Sequence, residues 1–363
     1  MRKRIHIPAL LILVLLFAAY VAYDRIIAPT NSSLPTSQLS NQDRNSISTV
    51  IGNLDTPWSI TSLPSDRLMI SERSGIIRII GNDNRQFQIA DVVERGEGGL
   101  LGVALDPRFA DNAYVYVYKT TGDSNIVERY RLAKDQLVEQ TNVLIDIPAA
   151  ANHNGGAISF GPDGKLYITT GDAQVENLAQ DRLSLAGKIL RINADGSVPS
   201  DNPFGNEVWS YGHRNPQGIA WDDEDRLWST EHGPSGLQTG HDELNLIQKG
   251  GNYGWPVVRG AETRSGMIAP VAESGADDTW APAGLVHADG KLYFTGLRSQ
   301  TLYQARIDGE KVALSRHLVE EYGRLRAITT HDNSLLISTS NKDGRGSPKQ
   351  SDDKILRVPL SLL

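Results

Sequence analysis

The chain reads as an all-β protein, a six-bladed β-propeller of four-stranded antiparallel blades, and three observations point that way. A strand, an Asp-containing turn and a second strand recur six times, roughly every 45 to 65 residues, the spacing of blades joined by loops of unequal length. Between turn signals the apolar residues alternate with period two, and no segment sustains a helical period. The composition agrees, since 34 glycines in a chain that is 39% hydrophobic and 22% charged suit a folded protein with many turns.

Taken in order, residues 1–25 read as an export segment. Arg2, Lys3 and Arg4 precede an apolar run from Ile7 to Tyr23. No Ala-x-Ala cleavage site stands out, and the run is nearly long enough to span a bilayer, so a cleaved signal peptide and an uncleaved N-terminal membrane anchor both fit. Either puts the folded part outside the cytoplasm, in a periplasmic or extracellular setting. Residues 26–45 are rich in Ser, Thr, Asn, Gln and Pro and read as a flexible linker. Residues 46–363 carry the propeller. Its six hairpins are expected at Leu63–Ser71, at Ala104–Pro107 with Tyr114–Tyr118, within Asn152–Asp172, and at Ile219–Ser229, Leu285–Thr295 and Ile328–Ser338.

Composition also excludes. The chain has no cysteine, which removes disulfides, thiolate metal sites and cysteine nucleophiles. A net charge of −7 with no basic block beyond the N-terminus argues against nucleic acid as a partner.

In a propeller the ligand-binding residues lie in loops that converge on the channel mouth, so the chemistry should be scattered along the chain. The third hairpin is the richest stretch. Its Pro162-Asp163-Gly164 turn reverses the chain, because proline presets φ, aspartate caps the turn and glycine accepts positive φ. That reversal brings Asp172 back toward His153, and an imidazole oriented by a carboxylate is the arrangement of a general base. A purely structural His–Asp pair would leave the same pattern. Glu97 sits in the glycine-rich Gly96–Gly102 loop, where backbone can approach a ligand or simply turn. Gly212–Pro216 gathers His213, Arg214 and Asn215 ahead of the fourth hairpin. Gly233 and Pro234 offer backbone carbonyls near Asp242, Glu243, Asn245 and Tyr253, hard oxygen donors suited to Ca²⁺, although ordinary Asx turns use the same residues. Arg298, Arg324 and Arg326 lie at blade mouths, the last two on one face of an extended segment, as a pocket for a carboxylate-bearing ligand requires.

From about Gly52 to Val358 the chain resembles the glucose/sorbosone dehydrogenase family, the soluble aldose sugar dehydrogenases that depend on pyrroloquinoline quinone (PQQ). The motifs that carry this are Asn-His-Asn-Gly-Gly at 152–156, Ile-Thr-Thr-Gly-Asp at 168–172, Gly-His-Arg-Asn-Pro-Gln-Gly at 212–218, Glu-His-Gly-Pro at 231–234, and Asp-Glu-Leu-Asn-Leu-Ile followed by Gly-Gly-Asn-Tyr-Gly-Trp-Pro within 242–256. The resemblance implies a catalytic base at His153, oriented by Asp172. It implies Arg214 and Asn215 at the reactive carbonyl of the quinone, and the Gly233 and Pro234 carbonyls on the Ca²⁺ that activates it. Arg324 and Arg326 are implied to hold cofactor carboxylates. Arg298 stands where the best-known branch has lysine, Glu97 where it has glutamine and Asn152 where it has aspartate; Glu97 and Arg298 remain candidate cofactor contacts. Glu243 and Tyr253 correspond to a second, structural Ca²⁺ site. The implied reaction oxidises an aldose at its anomeric carbon to a lactone and passes the electrons to an external quinone or cytochrome. Two other classes share the architecture: a non-catalytic propeller that binds carbohydrate or protein, and a metal-dependent lactonase.

Overall fold

The computed structural model describes residues 46–82, 84–134, 136–234 and 240–363. The expected export segment and linker lie outside these residues. Among the described residues no helix is long and apolar enough to cross a membrane.

Six four-stranded antiparallel sheets form the blades. Blade one runs through Pro57–Leu63, Arg67–Glu72, Ile76–Ile80 and Arg85–Gln88; blade two through Leu100–Leu105, Tyr114–Thr121, Ser124–Ala133 and Gln136–Pro148. Blade three comprises Ile158–Phe160, Leu166–Thr170, Lys188–Ile192 and Val208–Tyr211; blade four, Pro216–Trp221, Leu227–Glu231, Glu243–Ile247 and Ala272–Glu273. Blade five comprises Pro282–Ala288, Lys291–Gly296, Thr301–Asp308 and Lys311–His317. Blade six takes Leu325–His331, Ser334–Thr339 and Ile355–Pro359 from the end of the chain, and its outer strand, Ser48–Ile51, from the beginning. That strand pairs Ser48 with Arg357, so the ring is closed by backbone hydrogen bonds between the two ends of the fold. Every one of the six expected hairpins is the inner strand pair of a blade.

Apolar side chains fill the spaces between blades. One cluster joins Tyr116, Tyr118 and Val127 of blade two to Ile168, Leu190 and Ile192 of blade three. A second joins Met69 and Ile77 of blade one to Val115 and Val117 of blade two. Buried hydroxyls add direction to this packing. At four of the six junctions a Ser or Thr on the second strand of one blade donates to a carbonyl on the inner strand of the next: Ser71 to Leu101, Thr230 to Ala283, Thr295 to Arg326 and Ser338 to Pro57. Each bond satisfies a buried carbonyl that antiparallel pairing leaves free, and the four together fix the rotation of successive blades. Inner strands also approach closely. A Cβ on Gly102 would lie 2.2 Å from the Gly156 carbonyl oxygen, so only glycine admits blade three at this spacing. The inner strands enclose an axial cavity of about 550 Å³, with Trp58, Gln217 and Arg326 among its lining residues.

Candidate active site

The third hairpin performs the reversal that its turn chemistry predicts. Gly164 has φ +70°, the Lys165 N–H donates to Asp163 Oδ1 at 3.0 Å, and Ile158 pairs with Ile168. Its two ends then meet. His153 Nδ1 lies 2.7 Å from Asp172 Oδ1. Gly171 makes this contact sterically possible, since a Cβ there would sit 1.9 Å from the His153 carbonyl oxygen. His153 itself adopts φ +63°, a left-handed conformation that histidine accepts more readily than most residues.

Asp172 is fully buried and its carboxylate is saturated. Oδ1 also accepts the Gln174 N–H at 2.8 Å, and Oδ2 accepts Trp255 Nε1–H at 2.8 Å. With Nδ1 committed to the carboxylate, Nε2 is the ring nitrogen left to act as base. The Asp172 N–H donates to the Arg214 carbonyl at 2.8 Å, which ties the dyad to the fourth blade's entry loop.

A hydrogen-bonded chain runs from the dyad across the mouth. Glu97 Oε2 accepts the His153 N–H at 3.1 Å and lies 3.5 Å from Asn215 Nδ2. Asn215 Oδ1 accepts from Gly155 N and from Gln217 Nε2, and Gln217 Oε1 accepts from Arg326 Nη1 at 3.0 Å. The structure thus gathers His153, Asp172, Glu97, Arg214, Asn215 and Arg326 from blades two, three, four and six, Arg326 from an inner strand and the others from loops. Arg324 joins them through Asp343, with which it pairs at 2.8 Å, and through a bond to the Leu297 carbonyl. None of these contacts includes Arg298, whose side chain is exposed beside Leu297.

The cationic side of the pocket carries more charge than its own acids neutralise. Arg326 is buried, stacks over the Trp58 ring at 5.4 Å, and makes no ion pair among the described residues. Burial lowers its pKa to about 10, with Asp343 and Glu97 pulling the other way. Burial works against ionisation of Glu97, but His232, Arg345 and the His153 N–H together hold it at about 2. Burial drives the His232 imidazole down to about 3 despite Glu97, so at neutral pH this ring is uncharged and Arg345 carries most of Glu97's compensation.

Gly233 and Pro234 turn over a small cleft that Glu243 and Tyr253 also line. The turn is rigidly seated: the Gly233 N–H donates to Asp242 Oδ1 at 2.8 Å, while Asp242 Oδ2 takes the Trp280 and Ala281 N–H groups. Behind it, three glutamates stand in register across adjacent strands, Glu231 opposite Glu243 and Glu243 opposite Glu273. Like charges placed directly across a sheet repel. The outer two are each matched by a histidine, His213 on Glu231 at 2.8 Å and His241 on Glu273 at 2.9 Å. The middle one has no cationic partner among the described residues. Burial first, then the Glu231 charge, holds the Glu243 carboxyl well above the usual range, and Asn245 Oδ1 beside it is buried with no hydrogen-bond partner among the described residues. A divalent cation would relieve both, which is why these donors fit Ca²⁺.

Four pocket residues escaped the sequence reading. His232 lies inside a quoted motif, yet only the structure shows its Nε2 buried without a partner among the described residues. Gln217 and Trp255 also lie in quoted motifs, but nothing local assigns them partners on other blades. Arg345 bonds Glu97 Oε1 at 2.8 Å and Asn152 Oδ1 at 2.9 Å from a loop of blade six, and no pattern around it announces this.

A six-bladed propeller with a carboxylate-oriented histidine, a buried Arg326 that makes no ion pair among the described residues and an acidic cleft at one mouth defines a narrow class of protein. The family model for glucose/sorbosone dehydrogenases matches residues 54–356, and the chain belongs to that family. A solved structure of the PQQ-bound form of aldose sugar dehydrogenase from Streptomyces coelicolor is 40% identical, superposes with a TM-score of 0.82, and is matched over 86% of this chain and 98% of its own. The aldose sugar dehydrogenase YliI of Escherichia coli is 32% identical over 70% of this chain and 78% of its own length. The quinoprotein glucose dehydrogenase B of Acinetobacter calcoaceticus is 37% identical over 50% of this chain, but the match spans only 45% of that relative.

Proposed function

We propose that this chain oxidises aldose sugars at the anomeric carbon to lactones, with PQQ as its redox cofactor and Ca²⁺ as its metal. The observation that carries the reading is the His153–Asp172 dyad connected through Glu97, Asn215 and Gln217 to Arg326, a buried guanidinium that makes no ion pair among the described residues. A tricarboxylate quinone is the kind of ligand such a cradle suits, because planar guanidinium pairs bidentately with carboxylate. When bound, the quinone supplies the two-electron acceptor for the hydrogen leaving C1, and Ca²⁺ polarises its carbonyl.

The chain's own residues then have defined tasks. His153 Nε2 takes the C1 hydroxyl proton, and Asp172 stabilises the imidazolium that forms. Arg214 stacks beside Trp255 at 5.4 Å. Arg324 and Arg326 bind and orient carboxylates, with Arg298 as an exposed third cation at the rim. The Gly233 and Pro234 carbonyls would hold the activating Ca²⁺, and Glu243 with Tyr253 would hold the structural one. The apolar run behind Arg2, Lys3 and Arg4 supports a reaction outside the cytoplasm, and an external quinone or cytochrome would be the final acceptor.

The test is reconstitution of cofactor-free protein with the quinone and Ca²⁺, followed by dye reduction across a panel of aldoses. His153→Ala is expected to keep the cofactor and lose turnover by 10²-fold or more. Arg326→Ala is expected to weaken cofactor binding. Equal turnover by the His153 variant would refute its role, and hydrolysis of a lactone by quinone-free, Ca²⁺-loaded protein would favour the lactonase class.

A further inference from the structure

We infer that Trp255 is a positioning residue of the reaction: its indole N–H, donated to Asp172 Oδ2, fixes the carboxylate and tempers its pull on the His153 imidazole. The inference rests on His153 being the base, and it adds a third member to the dyad.

Asp172 lies at the centre of this arrangement, without solvent exposure. A buried carboxylate bound only through Oδ1 is free to rotate and carries its charge concentrated on the unbonded oxygen. Trp255 removes that freedom, at 2.8 Å and from a different blade. The indole is itself immobilised. The residue is 6% exposed and its ring is met by two guanidinium groups, Arg214 at 5.4 Å and Arg259 at 5.8 Å. Its backbone N–H donates to Gly212 O at 2.9 Å and its carbonyl accepts from Gln180 Nε2 at 2.6 Å.

The consequence is electrostatic as well as geometric. A donor on Oδ2 stabilises the Asp172 charge and therefore weakens the hold of that charge on imidazolium. Loss of the donor makes Asp172 a stronger partner for protonated His153 and leaves it less well oriented. The other charged or titratable groups around the ring are Glu97, bonded to the His153 N–H, then Arg214, His232 and, behind Glu97, Arg345. Of these, Trp255→Phe touches only Arg214, whose guanidinium keeps an aromatic ring beside it.

The experiment follows the His153 ring by ¹⁵N NMR in the cofactor-free full chain, with His153→Gln to assign it. The wild type should show the tautomer protonated at Nδ1. Trp255→Phe should raise the His153 pKa by about 0.5–1 unit. After reconstitution the same variant should lose about 10-fold in kcat, with the sugar KM within about 2-fold and the acid limb of the pH–rate profile moved up by the same interval. An unmoved ring pKa, or loss confined to KM or to thermal stability, would overturn the inference. Should Trp255→Phe fail to fold, the wild-type indole carries the test: one buried indole N–H must resonate downfield and follow the His153 titration, and its absence would equally overturn it. A chain inactive toward every aldose would sink the functional reading yet leave the ring titration decisive for Trp255.

Discussion

Lys188 gives the sharpest prediction about what holds the pocket wall in place. The residue opens the third strand of blade three, is wholly buried, and sends its ammonium to three backbone carbonyls, Leu178 at 2.8 Å, Ala179 at 3.0 Å and Ala186 at 2.6 Å. Those carbonyls belong to the loop between Asp172 and the strand, the loop whose Gln180 grips Trp255. Burial lowers the lysine pKa from 10.5 to about 7, and Asp181 pulls weakly the other way. Below pH 7 the ammonium is intact in both folded and unfolded chains. Between about 7 and 10.4 the unfolded chain binds the proton and the folded chain releases it, so stability rises with pH through this window.

The magnitude follows from about 1.4 kcal/mol for each unit of pKa difference, which predicts a gain of about 3 kcal/mol from this one group between pH 7 and 9.5. Lys188→Met lacks the titrating group and leaves the Ala186 carbonyl short of a donor, since Ala179 O keeps the Gly212 N–H and Leu178 O keeps the Asp181 N–H. The assay is urea unfolding of both proteins, cofactor-free, at half-unit steps from pH 6 to 9.5. The difference in unfolding free energy, wild type minus variant, should climb by about 3 kcal/mol toward alkaline pH. A flat difference would refute the argument, because it would mean that three carbonyls hold the ammonium at its ordinary pKa despite burial.

Three further outcomes follow from the geometry. Glu97, held at about 2, contributes stability that is present above the unfolded carboxylate range near 4.3 and lost as pH falls toward 2; Arg345→Ala should shrink that acid loss, measured as the slope of unfolding free energy between pH 4.5 and 2.5. Gly102→Ala should destabilise the fold by about 3 kcal/mol or more, read by urea unfolding, because its Cβ would meet the Gly156 carbonyl oxygen at 2.2 Å and the inner strands cannot separate without opening the ring. Glu243→Gln should weaken the Ca²⁺-dependent rise in melting temperature while making the metal-free protein more stable, since it removes the central charge of the Glu231–Glu243–Glu273 row.

What the sequence made legible, and what it hid, divides along one physical line: whether a contact is made within a hairpin or by closing the ring. Each inner hairpin is announced by its own residues, because a turn such as Pro162-Asp163-Gly164 and the alternation on either side act over a dozen positions. The His153–Asp172 contact was therefore readable; the hairpin alone accounts for it. Arg345 is the opposite case. It reaches Glu97 across 248 positions and Asn152 across 193, a meeting produced only when the sixth blade is brought round to the second and third. Ser48–Ile51 belongs with it, a four-residue strand too short to declare itself and given its place by Ile355–Pro359 at the far end of the chain. Yet two departures from the family pattern, Glu97 and Asn152, stand in the sequence and share one partner in space. The carboxylate expected at 152 is found at 97, and one guanidinium bonds both side chains. That arrangement keeps an acid next to the His153 backbone while removing it from the histidine's immediate chain neighbour, a change in electrostatics visible only once the blades have closed.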